Sequence, residues 1–538
     1  MGTLYFGDNL NILREHIKDE SVDLIYLDPP FNSKRAYNLL FKTPKGHVSD
    51  AQITAFEDMW HWGDQAEHEF AELLHQTNTD ASDMIQALRR FLGENDIMAY
   101  LTMMANRLLE LRRVLKQTGG LYLHCDPSAS HYLKIVLDSV FDPRNFRNEI
   151  IWQRTTAGKP IYRNLPKNAD HIFWYTKTDK YKFKPILQPL SQNDITTFNL
   201  DDNDGRGKYN TQPIINPAYR PNLRYVYKDM QGREWQPPKN GWRYSEERMR
   251  ENEKDNRLYF TETTIREKYY LSERLTKGKQ VPNIWTDIPP VTGNEMLGYP
   301  TQKPLALLER IIDASSNAGE LVLDPFCGCG TAVHAAQKLG RNWIGIDITH
   351  LAISLIEKRL KDAFPTITFE VYGTPKDFDG AKELAERNKY EFQWWACTLV
   401  NAQPYKGKKK GADTGIDGII YFQDDKGEAK KIIVSVKSGE NVTRTMIADL
   451  KNTVEREKAQ IGLFVTLAPP TKPMIVEAAS AGFYESPSHG AFPKIQVLSI
   501  EGLLSGKETP LYPDLSRGGL TFKKAKTETK NTKQPDLL

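Results

Sequence analysis

The stretch Leu321-Val-Leu-Asp324-Pro-Phe-Cys-Gly328-Cys-Gly330-Thr331 constrains this chain more than any other. An apolar run ends in an acid, a glycine-rich turn follows, and a helical pattern runs on to Gly340. A second apolar run, Trp343-Ile-Gly-Ile-Asp347, closes on another acid. Strand, glycine turn, helix and acid-ended strand form the arrangement that holds a nucleoside cofactor. The glycines admit the ligand close to the backbone, and the second acid suits ribose hydroxyls. The Gly-x-Gly spacing lacks the third glycine of the dinucleotide fingerprint, which argues against an ordinary dinucleotide site.

A second stretch lies near the start, Ser21-Val-Asp-Leu-Ile-Tyr-Leu-Asp28-Pro29-Pro30-Phe31-Asn32. Leu24 to Leu27 reads as a buried strand, and two prolines cannot continue its ladder. The chain therefore leaves the sheet with a carboxylate and an aromatic ring at the edge where open α/β sheets bind ligands. Asp28 and the carbonyl of Pro29 can each accept one N–H of an aromatic amine, turning its lone pair on an electrophilic methyl group. Phe31 can stack on a base swung out of a duplex. Taken alone, such a turn is equally an ordinary chain reversal.

The 538 residues exceed one domain, and a net charge of +3 confines any basic surface to local patches. Four cysteines (Cys125, Cys327, Cys329, Cys397) are too few for a disulfide scaffold and read as reduced thiols. No charged-then-apolar segment opens the sequence and no apolar run reaches membrane-spanning length, so a soluble, cytoplasmic protein is expected. Asp8 reads as a helix N-cap. The segment from Asn32 to about Asp80, with Trp60, His61 and Trp62 close together, reads as loop and short helix. Leucines from Leu88 to Leu115 predict a long helix broken near Gly93 and Asn95 and ended by Gly119-Gly120. Strands alternating with helices predict an α/β fold with a mostly parallel, Rossmann-like sheet. Over residues 176–290 the pattern dissolves into prolines, charges and scattered aromatics: Arg220, Arg224, Tyr225, Tyr227, Lys239, Trp242, Arg243 and Tyr244. Basic residues among aromatics suit phosphate contact with base stacking, and equally an insertion whose aromatics make a small core of their own.

Taken together, Gly7-Asp8-Asn9, Asp28-Pro-Pro-Phe31, Thr301-Gln-Lys303-Pro304, Asp324-Pro-Phe-Cys-Gly-Cys-Gly330 and Asp347 resemble the β class of DNA amino-methyltransferases. In that permuted class the catalytic half precedes the S-adenosylmethionine half, with a target recognition region between them. The resemblance spans residues 1–374. It implies a catalytic half over 1–175, target recognition over 176–290, where Trp242-Arg243 and Val281 to Asp287 also resemble that region, and a cofactor half over 291–374. It implies catalysis by Asp28, Pro29, Pro30 and Phe31, and cofactor binding by Asp8, Lys303, Asp324, Phe326, Gly328, Gly330 and Asp347. The implied substrate is double-stranded DNA, methylated on an exocyclic amine. Asp at the first catalytic position leans to adenine N6. Cytosine N4, or an RNA amine with a non-catalytic last domain, are the alternatives. A homodimer is the assembly expectation. His124-Cys125-Asp126 ends a strand, where such residues occur by default, and is set aside.

A further unit is expected over 375–515, opening with a helix from about Gly380 to Ala402 and a basic loop at Lys406 to Lys410. Gly415-Ile-Asp417-Gly and Ser435-Val-Lys437 on paired strands resemble the PD-(D/E)XK restriction endonucleases. That resemblance implies Mg²⁺ held by Asp417 and Glu391, or by Asp413, with Lys437 steadying the charge at a phosphodiester. Ser435 departs from the pattern, which has an acid or glutamine there. A nuclease fold that only binds DNA is the alternative. Residues 516–538 form a polar, basic tail expected to be disordered.

Overall fold

The computed structural model describes residues 1–30, 36–42, 48–57, 61–155, 165–297, 299, 301–405, 415–422, 424, 430–487, 489–513 and 525–528. Phe31, Trp60, Asp413, Lys406 to Lys410 and most of the expected tail lie outside the described residues. Two compact units are present, Met1–Lys184 with Asn283–Glu528, and Pro185–Pro282.

The first unit is built on a nine-stranded sheet. In chain order its strands are β1 (Gly2–Phe6), β2 (Val22–Leu27), β3 (Leu115–Cys125), β4 (Phe146–Gln153), β5 (Ala169–Thr176), β6 (Ile284–Trp285), β7 (Leu321–Asp324), β8 (Asn342–Asp347) and β9 (Glu370–Tyr372). They lie side by side as β6-β4-β5-β3-β2-β7-β8-β1-β9. Only β5 pairs antiparallel to its neighbours β3 and β4, so the sheet is mostly parallel, as the sequence predicts.

This order interleaves the two ends of the sequence. β2 pairs with β7, setting Leu24 opposite Val322, and β1 pairs with β8, setting Phe6 opposite Asp347. The acids ending β7 and β8, and those following β1 and β2, therefore leave the sheet at one edge. Every residue of β2 is buried, which is what a central parallel strand covered on both faces requires. Helices α1 (Asn9–His16), α2 (Asp96–Val114) and α3 (Ser130–Phe141) share one apolar core with β2 and β3. α4 (Leu305–Ser315), α5 (Thr331–Lys338) and α6 (His350–Ala363) belong to the second half. No helix among the described residues is long and apolar enough to cross a membrane.

Three local expectations change. The expected long helix is indeed broken at Gly93 and restarted by Asn95, whose side chain caps Met98 N–H, but it ends at Val114. Gly119 and Gly120 lie inside β3. A Cβ on Gly119 would stand 2.6 Å from the Leu115 side chain and 3.0 Å from the Asp23 carbonyl, so close packing rather than helix termination explains it. Within residues 32–80, Ala36–Lys42 and Val48–Glu57 form an antiparallel hairpin instead of loop.

Pro185–Pro282 folds around its own core of Ile214, Tyr227, Trp235, Trp242, Met249, Leu258 and Ile265. Tyr227 and Trp242 are buried and Tyr225 and Tyr244 half-buried, so Tyr227 and Trp242 are structural and unavailable for base stacking. Arg220, Arg224, Lys239 and Arg243 are exposed, which leaves phosphate contact to them. Ile284–Trp285 already pairs with β4, so the chain is back in the large sheet before residue 290.

Residues beyond 375 form a second sheet. Its order is β10 (Gln403–Pro404), β11 (Gly418–Phe422), β12 (Lys430–Lys437), β13 (Ile461–Thr466) and β14 (Ile495–Ser499). The opening helix is two, Phe378–Arg387 and Lys389–Leu399, broken where Asn388 caps the second. These pack Leu384, Phe392 and Trp395 on one face of the sheet, against Ile420, Ile432 and Val434. Ile447, Leu450 and Met474, from helices Arg444–Arg456 and Lys472–Ala479, pack on the other face against Ile419 and Ile433.

Candidate active site

At the carboxyl edge of the large sheet lies a cavity of about 360 Å³. Its wall carries Asp8, Asp28, Pro29, Pro30, Lys303, Asp324, Phe326, Gly328 and Asp347, so of the described residues expected of a catalytic and cofactor site there all but Gly330, which lies in the turn behind the wall, line one space. They come from five separate turns, and the sheet order alone brings them together.

Asp28 follows β2. One of its oxygens, Oδ2, takes the ammonium of Lys303, and both side chains are largely buried. Its other oxygen, Oδ1, is buried with no hydrogen-bond partner among the described residues. A buried acceptor without a donor costs free energy comparable to a lost hydrogen bond, so an ordinary structural turn gives no reason to keep it. A ligand N–H would satisfy it. Lys303, expected beside a cofactor, thus sits against the Asp28 carboxylate.

The glycine turn links β7 to α5. Gly328 and Gly330 have φ of +53° and +74°, and a Cβ on Gly330 would come within 2.7 Å of Ile356. Asp324 Oδ1 accepts from Phe326 N–H at 3.0 Å. Burial, with the neighbouring charges of Asp28 and Asp347, pushes the Asp324 carboxyl far above its ordinary value. Asp347 accepts from Gly328 N–H, Thr349 N–H and the Thr349 hydroxyl, each at 2.9 Å. Burial nevertheless pushes its carboxyl up to about 6. Four aspartates, Asp8, Asp28, Asp324 and Asp347, line this one buried space, and the raised Asp324 and Asp347 carboxyls show the cost of burying negative charge there, which a cationic occupant would relieve.

Asp8 is an N-cap, accepting from Leu10 N–H at 2.8 Å. Its other oxygen pairs with Arg107 at 3.0 Å. The same guanidinium donates to Asn9 Oδ1 at 2.7 Å, and Asn9 Nδ2 donates to the Pro325 carbonyl at 2.8 Å. Arg107 therefore ties the N-terminal turn to the glycine loop, a role sequence reading missed. Its signal was an arginine on the buried stripe of α2, between Met103 and Leu111. Tyr26 and Tyr299 also line the cavity. Cys327 and Cys329 do too, and burial pushes both thiols up, so they are neutral packing groups.

In the second sheet, Asp417 Oδ2 accepts from Val436 N–H at 2.7 Å, so it meets β12 between Ser435 and Lys437. By strand alternation Ser435 and Lys437 share the face of Ile433. Glu391 lies on helix Lys389–Leu399, which packs on the opposite face, and its partners are Asn388 and Arg387. Asp417 lies against the same helix, its carbonyl accepting from Cys397 Sγ at 3.6 Å. Among the described residues no group of three His, Cys, Asp or Glu side chains could hold a metal ion. A magnesium ion is commonly held by one or two carboxylates with water, and Asp417 is the described carboxylate beside Lys437 that could serve it.

Residues 22–358 match the DNA methylase family, and residues 384–483 match a restriction endonuclease family. The Enterobacter cloacae type II methyltransferase M.EcaI is 31% identical over 269 residues, covering 48% of this chain and 57% of its own length. The StyLTI Mod subunit of a Salmonella typhimurium type III restriction–modification enzyme is 26% identical over 354 residues, covering 62% of this chain and 49% of its own. The chain thus spans about half the length of these curated relatives. With well over half its residues inside the match, the chain belongs to the DNA methylase family.

Proposed function

We propose that the chain transfers a methyl group from S-adenosylmethionine to an exocyclic amine of duplex DNA, at adenine N6. The observation that carries this reading is Asp28 Oδ1, a buried acceptor without a donor, in a cavity shared with a cofactor-type glycine loop. The cavity's residues fit that methyl donor: the carboxylates welcome a sulfonium charge, and Asp347 and Asp8 are acceptors for a nucleoside. Bound there, the cofactor supplies a methyl group on a good leaving group. The protein's part is then alignment more than strong base catalysis. Asp28 Oδ1 and the Pro29 carbonyl accept the two N–H bonds of the amine, orient its lone pair, and Asp28 takes up the proton released. Lys303 holds the carboxylate in place. Asp28 at the head of its tetrapeptide favours adenine over cytosine, and both curated relatives are named as restriction–modification methyltransferases or their subunits.

Residues 185–282 are assigned to recognition of the DNA target, with their exposed arginines on phosphates. The restriction endonuclease match supports a DNA-acting role for the C-terminal sheet, centred on Asp417 and Lys437. Competition between duplex DNA and structured RNA for labelled methyl groups tests the main reading: incorporation into DNA supports it, and incorporation confined to RNA overturns it. For the C-terminal sheet, magnesium-dependent cutting that disappears in Asp417→Ala assigns a nuclease. Uncut DNA, methylated or not, with wild type assigns a binding role.

A further inference from the structure

One polar chain behind the cavity has no part in the mechanism so far. Tyr26 lies two residues before Asp28 on β2 and lines the same cavity. Its hydroxyl stands 2.9 Å from Nδ1 of His124 on β3. Nε2 of His124 is 3.2 Å from Asp170 Oδ2 on β5. Arg154 stands 3.5 Å from the other Asp170 oxygen. Tyr26, His124 and Asp170 are all buried. The β2–β3 register sets Leu27 opposite Leu123, and one step further sets Asp28 beside His124.

The chemistry of this chain fixes the direction of its hydrogens. Burial opposes the charge of Asp170, but the His124 hydrogen bond and the positive charges of Lys303 and Arg154 outweigh it and hold the carboxyl below its ordinary value. An ionised Asp170 is an acceptor only, so the ring hydrogen of His124 is on Nε2. Nδ1 is then a lone pair, and the Tyr26 O–H donates to it. A phenol has one hydrogen. With that hydrogen spent on His124, Tyr26 keeps only acceptor capacity.

We propose that Tyr26 is an acceptor on the cavity wall for the cationic transition state of methyl transfer, with His124 and Asp170 as positioning residues that keep its hydrogen out of the cavity. This rests on the methyltransferase reading above. It adds an acceptor beside Asp28 Oδ1, the buried acceptor on the same wall. A hydroxyl free to turn would offer a donor to Asp28 and compete with the amine for Oδ1. The strand-end histidine, which spacing alone could not distinguish from a default residue, thereby acquires a role through Tyr26.

The experiment is single-turnover methyl transfer to duplex DNA by the full chain between pH 5.5 and 8.5, for wild type, Tyr26→Phe, Asp170→Asn and Asp28→Ala. A hydrogen bond to developing charge is worth about tenfold or more in rate. Tyr26→Phe is therefore expected to lose at least about tenfold in the rate at saturating cofactor, with the folded far-UV spectrum retained and a lower unfolding midpoint, since His124 Nδ1 loses its donor. Asp170→Asn, whose amide can donate to Nε2 and reverse the histidine, is expected to lose as much in that rate while the cofactor Kd is unchanged. Phe at 26 within twofold of wild type at every pH, while Asp28→Ala is inactive, overturns the inference and leaves the methyltransferase reading intact. Full activity in Asp28→Ala, or none in wild type, overturns both. If Tyr26→Phe does not fold, Asp170→Asn with a wild-type rate and profile overturns the inference by itself.

Discussion

Replacing Asp28 by alanine changes two things at once, and the structure separates them. The substitution removes the acceptor at Oδ1, and it strips Lys303 of its buried partner. Losing a charge-assisted hydrogen bond costs about 1.5–3 kcal/mol. Loss of a preorganised group aimed at the reacting atoms costs about 10²–10³ in kcat. Methyl transfer in Asp28→Ala should therefore fall by at least about a hundredfold. Separately, removing one partner of a buried ion pair destabilises by about 3–5 kcal/mol, and the Lys303 charge no longer offset by Asp28 repels a sulfonium. Asp28→Ala should thus also unfold at lower denaturant and bind the cofactor more weakly. The double variant Asp28→Ala/Lys303→Met removes the stranded charge. It should recover most of the stability and cofactor affinity, and none of the transfer. Single-turnover incorporation of labelled methyl, cofactor calorimetry and denaturant unfolding on the three proteins give the answer. Transfer restored in the double variant would refute the assignment of Oδ1 as the amine acceptor. Unchanged stability in the single variant would refute the Asp28–Lys303 pair.

Three other outcomes follow from the same geometry. The Asp347 carboxyl lies at about 6 because burial raises it, so it gains a proton as pH falls through that value and loses acceptor capacity. Cofactor affinity should fall below pH 6, and Asp347→Asn should flatten that dependence; calorimetry from pH 5 to 8 checks both. Gly330→Ala forces a side chain into a backbone of φ +74°, 2.7 Å from Ile356. It should cost about 1–2 kcal/mol in backbone strain, read as a lower unfolding midpoint with weaker cofactor binding. Trp242→Ala empties the core of the 185–282 unit and should destabilise it by about 3–5 kcal/mol. Limited proteolysis should then cut within 185–282 while cofactor affinity holds.

Sequence legibility followed how local each signal is. The turns Asp28-Pro-Pro and Asp324 to Gly330 were readable because their chemistry sits within a few residues. Their meeting in one cavity was foreseen only through resemblance, since β2 and β7 pair across about three hundred residues of chain. Arg107 and the Tyr26–His124–Asp170 chain were invisible as sites because each is a set of single residues on different elements, joined only by the sheet order. Gly119-Gly120 misled because a glycine pair after a leucine stripe looks the same whether it ends a helix or fits beside Leu115. Tyr227 and Trp242 misled for a similar reason, since composition does not distinguish an aromatic that stacks on a base from one that fills a small core.

The central claim is that the acid-lined cavity methylates an amine of duplex DNA through Asp28. Base-resolution mapping of modified bases in DNA from cells expressing the chain, beside the Asp28→Ala variant, tests it most directly. The account predicts N6-methyladenine at one fixed sequence context with wild type and none with the variant. Unmodified DNA from the wild type, or the same methylation from the variant, would contradict it.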